Sequence, residues 1–290
     1  MKPASFAYHR VGSVSEAIER LEELGEDSKV LAGGQSLVPM MNFRLARPSA
    51  LVDISRVQEL KYLEREGDTL RIGAMTPHSD VEAMTAPELL DGFGVLKHAA
   101  RWVGHYPIRT RGTFGGSVAH ADPSAEWCML AVLLDAEIVA RGPGGDRTIA
   151  AADFLLGFLT NALDPDEVLI EVRFPRPAPH AALQEFARRR GDFAIVAAAV
   201  ALDVDGEKCG GARIVIGGVD DVPVRASEAE AVLAHATLGA EVFQEAGQAA
   251  AKEIEPASDI HGSAEYRRHL AAVLVARALA EAAANGNGST

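Results

Sequence analysis

The spacing of apolar residues near the start of the chain predicts an amphipathic helix. Apolar side chains recur every three or four residues between Ala17 and Leu24, which places them on one face of an α-helix. Ser13 stands three residues before Glu16, the spacing of a capping box, and Gly25 follows where helices commonly end. A short strand at 29–32, a loop, a second helix at 36–45 and a strand at 51–54 are predicted to follow.

The middle of the chain mixes β-like and helix-like patterns. Alternating or β-branched stretches predict strands at 70–74, 137–140 and 168–174. Helices are predicted between them at 79–84, 92–102 and 125–134. Three prolines at 175, 177 and 179 interrupt any helix or strand, so we expect a domain boundary there.

The last third of the chain has a pattern of its own. Two apolar runs, 194–203 and 212–217, flank a glycine-rich turn and predict a hairpin. Helices are predicted after it at 227–236, 239–254 and 264–284, followed by a loose tail at 286–290. Strands come in runs and do not alternate strictly with helices, so the predicted class is α+β.

Composition and charge exclude several classes of protein. The 290 residues suit two domains, and a formal net charge of −13 disfavours binding to nucleic acid. Two cysteines cannot supply the four thiolates of an iron–sulfur cluster, and no zinc signature is present. The first ten residues contain no secretory signal, and no apolar run reaches the length of about 18 residues needed to span a membrane. We therefore expect no metal site in this chain and a reducing, cytoplasmic location.

Two glycine pairs are the strongest candidates for chemistry. Gly33-Gly34 and Gly115-Gly116 each follow a β-like stretch and precede a helical pattern. Consecutive glycines let backbone N–H groups converge on an anion, and a helix N-terminus adds positive charge, so two such loops could hold a pyrophosphate. An ordinary turn is the alternative, and it is preferred for the pairs at 144–145 and 210–211. Neither a dinucleotide-binding nor a P-loop glycine pattern occurs.

The residues after the second glycine pair suggest structural roles. Asp122 followed by Pro123 is typical of a helix cap with proline at the first helical position. His120 is interpreted as a loop histidine, because a catalytic pair with Asp122 would need a third partner. No catalytic residue is predicted.

The two glycine segments resemble a known family. Residues 32–41 are similar to the first flavin signature of the FAD-binding medium subunits of molybdenum hydroxylases, the family of xanthine dehydrogenase and aerobic carbon monoxide dehydrogenase. Residues 113–117 with 120–123 resemble the second signature. Collinear motifs lie at 51–54, 72–76, 107–113, 189–196 and 263–267. The resemblance extends from about residue 3 to residue 284.

The resemblance implies a fold and a division into domains. Residues 1–176 would form a two-part FAD-binding domain of the vanillyl-alcohol-oxidase type, with parts at about 1–57 and 58–176. Residues 177–290 would form a smaller α+β C-terminal domain, with a three-stranded antiparallel sheet and helices.

The resemblance also assigns contacts with FAD. The pyrophosphate and ribose contacts would be Ala32, Gly33, Gly34, Gln35, Ser36, Leu37, Thr113, Gly115, Gly116 and Ser117. Thr76 would lie near the isoalloxazine, and Asp122 or Glu126 would meet polar atoms of the adenosine or ribityl part. Ile170 would contact the adenine or the ring system, and Phe193 would lie near the flavin ring. Xanthine dehydrogenases often carry lysine near Glu185, where a carboxylate places negative charge.

The implied function is electron transfer within a complex. FAD would be bound in this chain, whereas molybdopterin and [2Fe–2S] clusters would belong to a large and a small partner subunit, in a dimer of heterotrimers. Electrons would pass to NAD, a quinone or dioxygen. Gln35 replaces a histidine common in carbon monoxide dehydrogenases, which favours an organic heterocycle or aldehyde as substrate of the complex. The alternatives are a true carbon monoxide dehydrogenase subunit, a free-standing flavin oxidoreductase, or a scaffold without FAD.

Overall fold

The N-terminal part is a small parallel sheet with two helices. The computed structural model describes residues 2–285, and the tail predicted at 286–290 lies outside them. The elements in chain order are β1 (Ala7–Arg10), α1 (Val14–Leu24), β2 (Ser28–Leu31), α2 (Leu37–Asn42) and β3 (Ala50–Asp53). Strand β3 lies between β1 and β2 and pairs in parallel with both. The Ser13 side chain caps α1 by accepting a hydrogen bond from the backbone N–H of Glu16, as the capping-box spacing predicts.

A five-stranded sheet with seven short helices follows. Its elements are a 3₁₀ turn (Gln58–Leu60), β4 (Leu63–Glu66), β5 (Thr69–Gly73), α3 (His78–Glu82), α4 (Pro87–Leu90), α5 (Gly94–Ala100), α6 (Tyr106–Arg109), α7 (Phe114–His120), α8 (Glu126–Leu133), β6 (Glu137–Gly142), β7 (Gly145–Ala150), α9 (Ala151–Phe154), β8 (Leu155–Gly157), β9 (Thr160–Asn161) and β10 (Val168–Phe174). The strand order is β4-β5-β10-β6-β7, and β8 pairs with β9. Trp127, Phe114 and Phe174 are fully buried in the core beside it, where their rings contact one another.

The C-terminal part is an antiparallel sheet with three helices. Its elements are β11 (Ala181–Phe186), β12 (Val196–Asp205), β13 (Lys208–Gly217), β14 (Val224–Arg225), α10 (Ser227–Leu233), α11 (Ala240–Glu253) and α12 (Ala264–Asn285). Three strands are long, as predicted, and the two-residue β14 adds a fourth at the edge of β13. Two residues without an alternating pattern are too short a signal to be read from sequence.

This sheet is buried on both faces, which explains its nearly unbroken apolar sequence. One face of β12, with Ala198 and Val200, packs in the core shared with α11 and α12. The other face, with Ala197 and Ala199, belongs to the core that also contains Trp127 of α8. Helix α8 therefore connects the N-terminal domain to the C-terminal sheet.

The start of α8 differs from the sequence prediction. Asp122 was expected to cap this helix, but the helix begins at Glu126 and its N-cap position is Ala125. The Asp122 carboxylate accepts hydrogen bonds from the backbone N–H and the hydroxyl of Ser124, which forms a separate turn around Pro123. The prediction was wrong because the same residues favour a turn as readily as a helix start.

Candidate functional site

A cavity of about 410 Å³ lies where both glycine loops meet the loop between β11 and β12. This volume is within the range of small-molecule sites, about 300–1,000 Å³. Most of the predicted contact residues line it, namely Ala32, Gly33, Gly34, Gln35, Ser36, Leu37, Thr113, Gly116, Ser117, Asp122, Glu126 and Phe193. Thr76, Gly115 and Ile170 are not among its lining residues. Residues up to 161 positions apart in sequence are thus brought to one site.

The two glycine loops touch each other. A Cβ atom on Gly33 would overlap the carbonyl oxygen of Arg111 and would lie 2.8 Å from the Cα of Gly112. A Cβ on Gly112 would lie 2.7 Å from Nε2 of His78. Only glycine fits such close backbone approaches. Gly112 was not predicted as a site residue, although it stands immediately before the second signature.

The first loop offers free hydrogen-bond donors. Within residues 2–285, no acceptor binds the backbone N–H groups of four consecutive residues, Gly33, Gly34, Gln35 and Ser36. Two carbonyl groups of the loop do accept hydrogen bonds, and these bonds hold it in place. Val38 N–H donates to the Gly34 carbonyl, and the Gln35 side chain donates to the Gly33 carbonyl. Successive free N–H groups facing a cavity are typical of an anion-binding nest.

The second loop does not match this arrangement. Phe114 N–H donates to Thr76, Gly115 N–H to Ala74, and Ser117 N–H to the Thr113 carbonyl. Gly116 N–H donates to the Thr113 hydroxyl, which caps α7. The sequence suggested that both loops present N–H groups to an anion, but only the first has them free. The second loop contributes a wall and the hydroxyl groups of Thr113 and Ser117.

Thr76 and Ile170 lie behind the second loop, and Gly115 is the residue of that loop that connects it to Ala74. The Thr76 hydroxyl donates to the Tyr62 carbonyl, and its own carbonyl accepts from the second loop. The Ile170 carbonyl accepts from Ala74 N–H, and the Ala74 carbonyl accepts from Gly115 N–H. These residues link β10 to the loop through successive hydrogen bonds, so they position it from the side opposite the cavity.

His78 lines the cavity and was not predicted. Trp127 Nε1–H donates to Nδ1 of His78 at 2.9 Å, so the neutral ring carries its proton on Nε2, beside Gly112. Burial, with the nearby charge of Arg109, lowers the pKa of His78 to about 4. His78 and Trp127 are 49 residues apart in sequence, and no local pattern connects them. Only the packing of α3 against α8 reveals this hydrogen-bond donor.

One side of the cavity is acidic. Asp122, Glu126 and Asp192 line it together with His120, whereas Lys29 is on the first-loop side. Burial raises the pKa of Glu126, and the charge of Asp122 adds to this effect. Burial also lowers the pKa of His120, partly offset by Asp122. These shifts favour neutral forms, so this wall carries less charge than its composition suggests.

Phe193 stands at the mouth of the cavity. Its side chain is 72% exposed and lines both the cavity and an adjoining opening of about 810 Å³. Gly191, two residues earlier, has a φ of +88°, and a Cβ on it would lie 2.5 Å from Nδ1 of His105. The loop therefore turns sharply here and presents an aromatic ring to solvent.

Two family models together match nearly the whole chain. Residues 4–177 match the FAD binding domain in molybdopterin dehydrogenase, and residues 181–282 match the CO dehydrogenase flavoprotein C-terminal domain. The chain belongs to this family of flavoproteins. It is an FAD-binding oxidoreductase subunit with the α+β architecture that the resemblance implied.

Relatives of the flavoprotein span its whole length. It is 42% identical to the 6-hydroxypseudooxynicotine dehydrogenase complex subunit alpha of Paenarthrobacter nicotinovorans, over 97% of this chain and 96% of that protein. Carbon monoxide dehydrogenase from Hydrogenophaga pseudoflava superposes with a TM-score of 0.94 at 38% identity, covering 98% of this chain and 99% of that one. Quinoline 2-oxidoreductase from Pseudomonas putida 86 superposes with a TM-score of 0.94 at 37% identity, covering 99% of both chains.

The cavity of the flavoprotein suits FAD. Four free N–H groups in the first loop match the anionic oxygens of a pyrophosphate, and the glycines let the two loops that line the cavity approach each other closely. Among residues 2–285 no cluster of histidine, cysteine, aspartate and glutamate is arranged to hold a metal ion. In the same part of the chain, no helix is long and apolar enough to cross a membrane.

Proposed function

We propose that the chain is the electron-transfer subunit of a three-part molybdenum hydroxylase. It takes electrons from a partner [2Fe–2S] subunit and passes them to an external acceptor, which is NAD, a quinone or dioxygen. A partner molybdopterin subunit hydroxylates the substrate. The observation that carries the proposal is the nest of free N–H groups beside a cavity in a chain of this family.

The residues of this chain act by binding and positioning. Bound FAD supplies the redox chemistry, and the protein controls its orientation and surroundings. The N–H groups of 33–36 bind the pyrophosphate, with Ala32, Leu37, Thr113, Gly116 and Ser117 completing the wall around it. His78 offers its Nε2–H to the cavity as a neutral donor. Asp122 or Glu126 would meet polar groups of the cofactor, and Phe193, at the mouth of the cavity, would lie near the flavin ring.

We propose that three further residues support the FAD site without lining the cavity. Thr76, Gly115 and Ile170 hold the second loop in place through the backbone bonds described above. None of these three residues lines the cavity, so we propose that they act on FAD through the second loop. The domains proposed are 1–176, in two parts divided near residue 57, and 177–290.

We propose an organic heterocycle or an aldehyde as the substrate of the complex. Two relatives are named for nitrogen heterocycles, namely quinoline 2-oxidoreductase and the 6-hydroxypseudooxynicotine dehydrogenase. Gln35 stands at the position that the resemblance associates with histidine in carbon monoxide dehydrogenases. The complex is proposed to be a cytoplasmic dimer of heterotrimers.

The first experiment measures FAD in the purified chain. We expect the visible absorption of an oxidised flavin and release of one FAD per chain on acid treatment. Gly33→Ala should weaken FAD binding by about tenfold or more, or about 1.4 kcal/mol, because its Cβ would push the loops apart. Gly144→Ala is the matched control, since its Cβ would meet nothing within 4 Å. A chain that neither contains nor takes up FAD would overturn the proposal.

The second experiment tests electron transfer. The chain is purified with its two partner subunits, and a nitrogen heterocycle is added without oxygen. We expect the flavin absorption to bleach only when both partners are present. Bleaching of the isolated chain by the substrate would instead identify a free-standing flavin oxidoreductase. Bleaching by carbon monoxide alone would identify a carbon monoxide dehydrogenase subunit.

A further inference from the structure

Glu185 is a buried carboxyl group without a partner. Its side chain lies in β11 and is only 8% exposed. Neither of its oxygens has a hydrogen-bond partner among residues 2–285, and no salt bridge in this range includes it. Leaving such a group buried and unpaired is costly, and a charged carboxylate costs far more than a neutral one. The site therefore favours the protonated acid.

The strand register shows which way Glu185 faces. Side chains alternate across β11, and Leu183 on the same face as Glu185 belongs to the core that contains α8. Gln184, on the opposite face, donates to Glu281 of α12. Glu185 therefore faces the FAD-binding domain and not the C-terminal helices.

Glu126 is the acidic group whose charge acts on Glu185. It begins α8, is partly buried and lines the cavity. Burial raises the pKa of Glu185, and the charge of Glu126 raises it further. Burial likewise raises the pKa of Glu126. The cross-strand neighbours of Glu185 on its face of the sheet are Ala197 and then Gly217, and a Cβ on Gly217 would overlap Sδ of Met129 in α8 and lie 2.9 Å from the Pro123 carbonyl oxygen. Glu185 therefore faces the start of α8, where Glu126 stands. Two carboxyl groups in one poorly hydrated interior titrate as a coupled pair and resist being ionised together.

The surrounding charges do not neutralise this pair. Charged or titratable side chains on the packed elements and in the cavity include Lys97 and His98 on α5, Asp122 before α8, Cys128 on α8, Arg188, Arg189, Arg190 and Asp192 in the β11–β12 loop, Asp203 on β12, Lys208 and Arg213 on β13, Arg267 and Glu281 on α12, and Lys29, His78 and His120 in the cavity wall. Lys97 donates to the Met84 carbonyl, and Arg213 pairs with Asp135. Among residues 2–285 no cation forms a salt bridge with Glu126.

We propose that Glu126 and Glu185 form an acid pair that stores a proton beside the cavity and gains another from solvent when an anionic ligand enters. The inference rests on the proposed function, since FAD with its doubly negative pyrophosphate is the ligand. Glu126 lines the cavity and Glu185 does not, so negative charge in the cavity acts on Glu126 first. A carboxylate of the pair plus one solvent proton becomes a carboxylic acid, and no bond to the ligand forms or breaks.

The first test measures proton uptake when FAD binds. FAD is titrated calorimetrically into the FAD-depleted chain at about pH 8, far above the ordinary glutamate pKa of about 4.3, in two buffers with different ionisation enthalpies. We expect net proton uptake, and a Kd that rises with pH by up to about tenfold per pH unit. Tight binding without proton uptake and with a pH-independent Kd would overturn the acid pair while leaving the proposed function intact.

Variants identify which carboxyl group takes up the proton when FAD binds. Glu126→Gln is the key variant, because Glu126 is the carboxylate that takes up the proton, and it should abolish most of the proton uptake and flatten the pH profile. Glu185→Gln should keep the uptake, because Glu185 already carries its proton before the ligand enters. Glu207→Gln, exposed in the turn between β12 and β13, is the matched control and should keep the wild-type profile. Full proton uptake in Glu126→Gln would overturn the proposal.

A second readout does not need FAD. The infrared spectrum of the ligand-free chain at about pH 8 should contain the carbonyl stretch of a protonated carboxyl group, although an ordinary glutamate is ionised there. Glu185→Gln should remove this band, and Glu207→Gln should retain it. If the chain binds no FAD, the proposed function fails, but this band still tests whether Glu185 is protonated. Its absence from the wild-type spectrum would overturn the pair.

Discussion

Glu171 and Glu185 are two buried glutamates on strands of different domains, and their surroundings are opposite. Glu171 in β10 is 2% exposed and accepts hydrogen bonds from Tyr62, Arg71 and Arg173. Burial alone would raise the pKa of Glu171, but these three donors outweigh burial and lower it. Glu185 has no donor within residues 2–285, and burial with the charge of Glu126 raises its pKa.

The difference shows how partners determine the charge of a buried group. Glu171 connects β5 and β10 through Arg71 and is held ionised, which suits a structural role. Glu185 is buried and forms no salt bridge with any cation among residues 2–285, which suits a group whose protonation state can change. A buried carboxyl group with fixed partners gains little from losing or binding a proton, whereas an unpartnered one responds to new charge nearby.

The comparison is tested most strongly by replacing each glutamate with glutamine. Glu171→Gln leaves Arg71 and Arg173 without their carboxylate and should lower the free energy of unfolding by about 3 kcal/mol, since breaking a buried ion pair is costly. Both arginines are about one-third exposed, so solvent screening keeps the loss at the lower end of that range. Glu185→Gln should be neutral or slightly stabilising at neutral pH.

Urea unfolding at neutral pH measures both effects, and the midpoint with the slope gives the free energy. Glu207→Gln serves as the exposed control. An equal loss in Glu171→Gln and Glu185→Gln would mean that Glu185 is ionised in the native state, and the comparison would then fail.

The two glutamates should also give opposite pH dependences of stability. The pKa of Glu185 is raised, so the native chain holds a proton that the unfolded chain releases, and stability falls as pH rises above about 4.3. The slope reaches at most about 1.4 kcal/mol per pH unit for one proton. The pKa of Glu171 is lowered, so its contribution is present above about 4.3 and is lost as pH falls through its native value.

Unfolding curves between mildly acidic and alkaline pH measure these slopes. Glu185→Gln should flatten the loss of stability on the alkaline side, and Glu171→Gln should flatten the loss on the acidic side. An alkaline limb that is identical in wild type and Glu185→Gln would contradict the raised pKa of Glu185.

A third buried group, His78, has a single partner and should respond to acid. Its native pKa of about 4 lies below the ordinary value of about 6.5, so the unfolded chain binds a proton that the native chain excludes. The stability that His78 contributes is complete above about pH 6.5 and is lost as pH falls toward 4, by about 1 kcal/mol per pH unit. His78→Gln should reduce this acid sensitivity, as measured by thermal unfolding at several pH values.

The control for this prediction is His235→Gln. Among residues 2–285 the His235 side chain makes no hydrogen bond like the one between His78 and Trp127, and it lies in the exposed turn after α10. His235→Gln should lose stability at acidic pH to the same extent as the wild type. If His78→Gln also loses stability at acidic pH as the wild type does, His78 is protonated in the native state and cannot accept a hydrogen bond from Trp127.

The sequence predicted the elements with clear periodicity and the loops with glycine pairs. Strand β10 is found at the predicted residues 168–174, and α1 begins at its predicted cap. Strand β1 was missed, because four residues with mostly exposed side chains carry no alternating pattern. The two glycine signatures were found, and the resemblance they carry gave the family. Local sequence was sufficient for elements that depend on short-range periodicity, helix capping or glycine turns.

The chemistry of the site depends on contacts that sequence cannot reveal. Tyr62 and Glu171 are 109 residues apart, and Trp127 and His78 are 49 apart, so their hydrogen bonds follow only from the packed fold. The free N–H groups of the first loop and the occupied ones of the second come from similar glycine pairs. Their difference depends on whether nearby residues supply acceptors, as Ala74 and Thr76 after β5 and Thr113 at the start of α7 do for the second loop.

The smallest effect should come from removing one of the three donors to Glu171. Tyr62→Phe deletes a hydroxyl that donates to the carboxylate at 2.5 Å and leaves both arginines in place. We expect a loss of about 1 kcal/mol, the usual net value of one hydrogen bond, since the carboxylate stays ionised. Tyr106→Phe, 65% exposed on α6, is the matched control and should be neutral. Urea unfolding of both variants measures the difference. A loss in Tyr62→Phe as large as that in Glu171→Gln would show that the arginines cannot hold the charge without the tyrosine. The ionised state of Glu171 would then depend on the whole set of partners acting together.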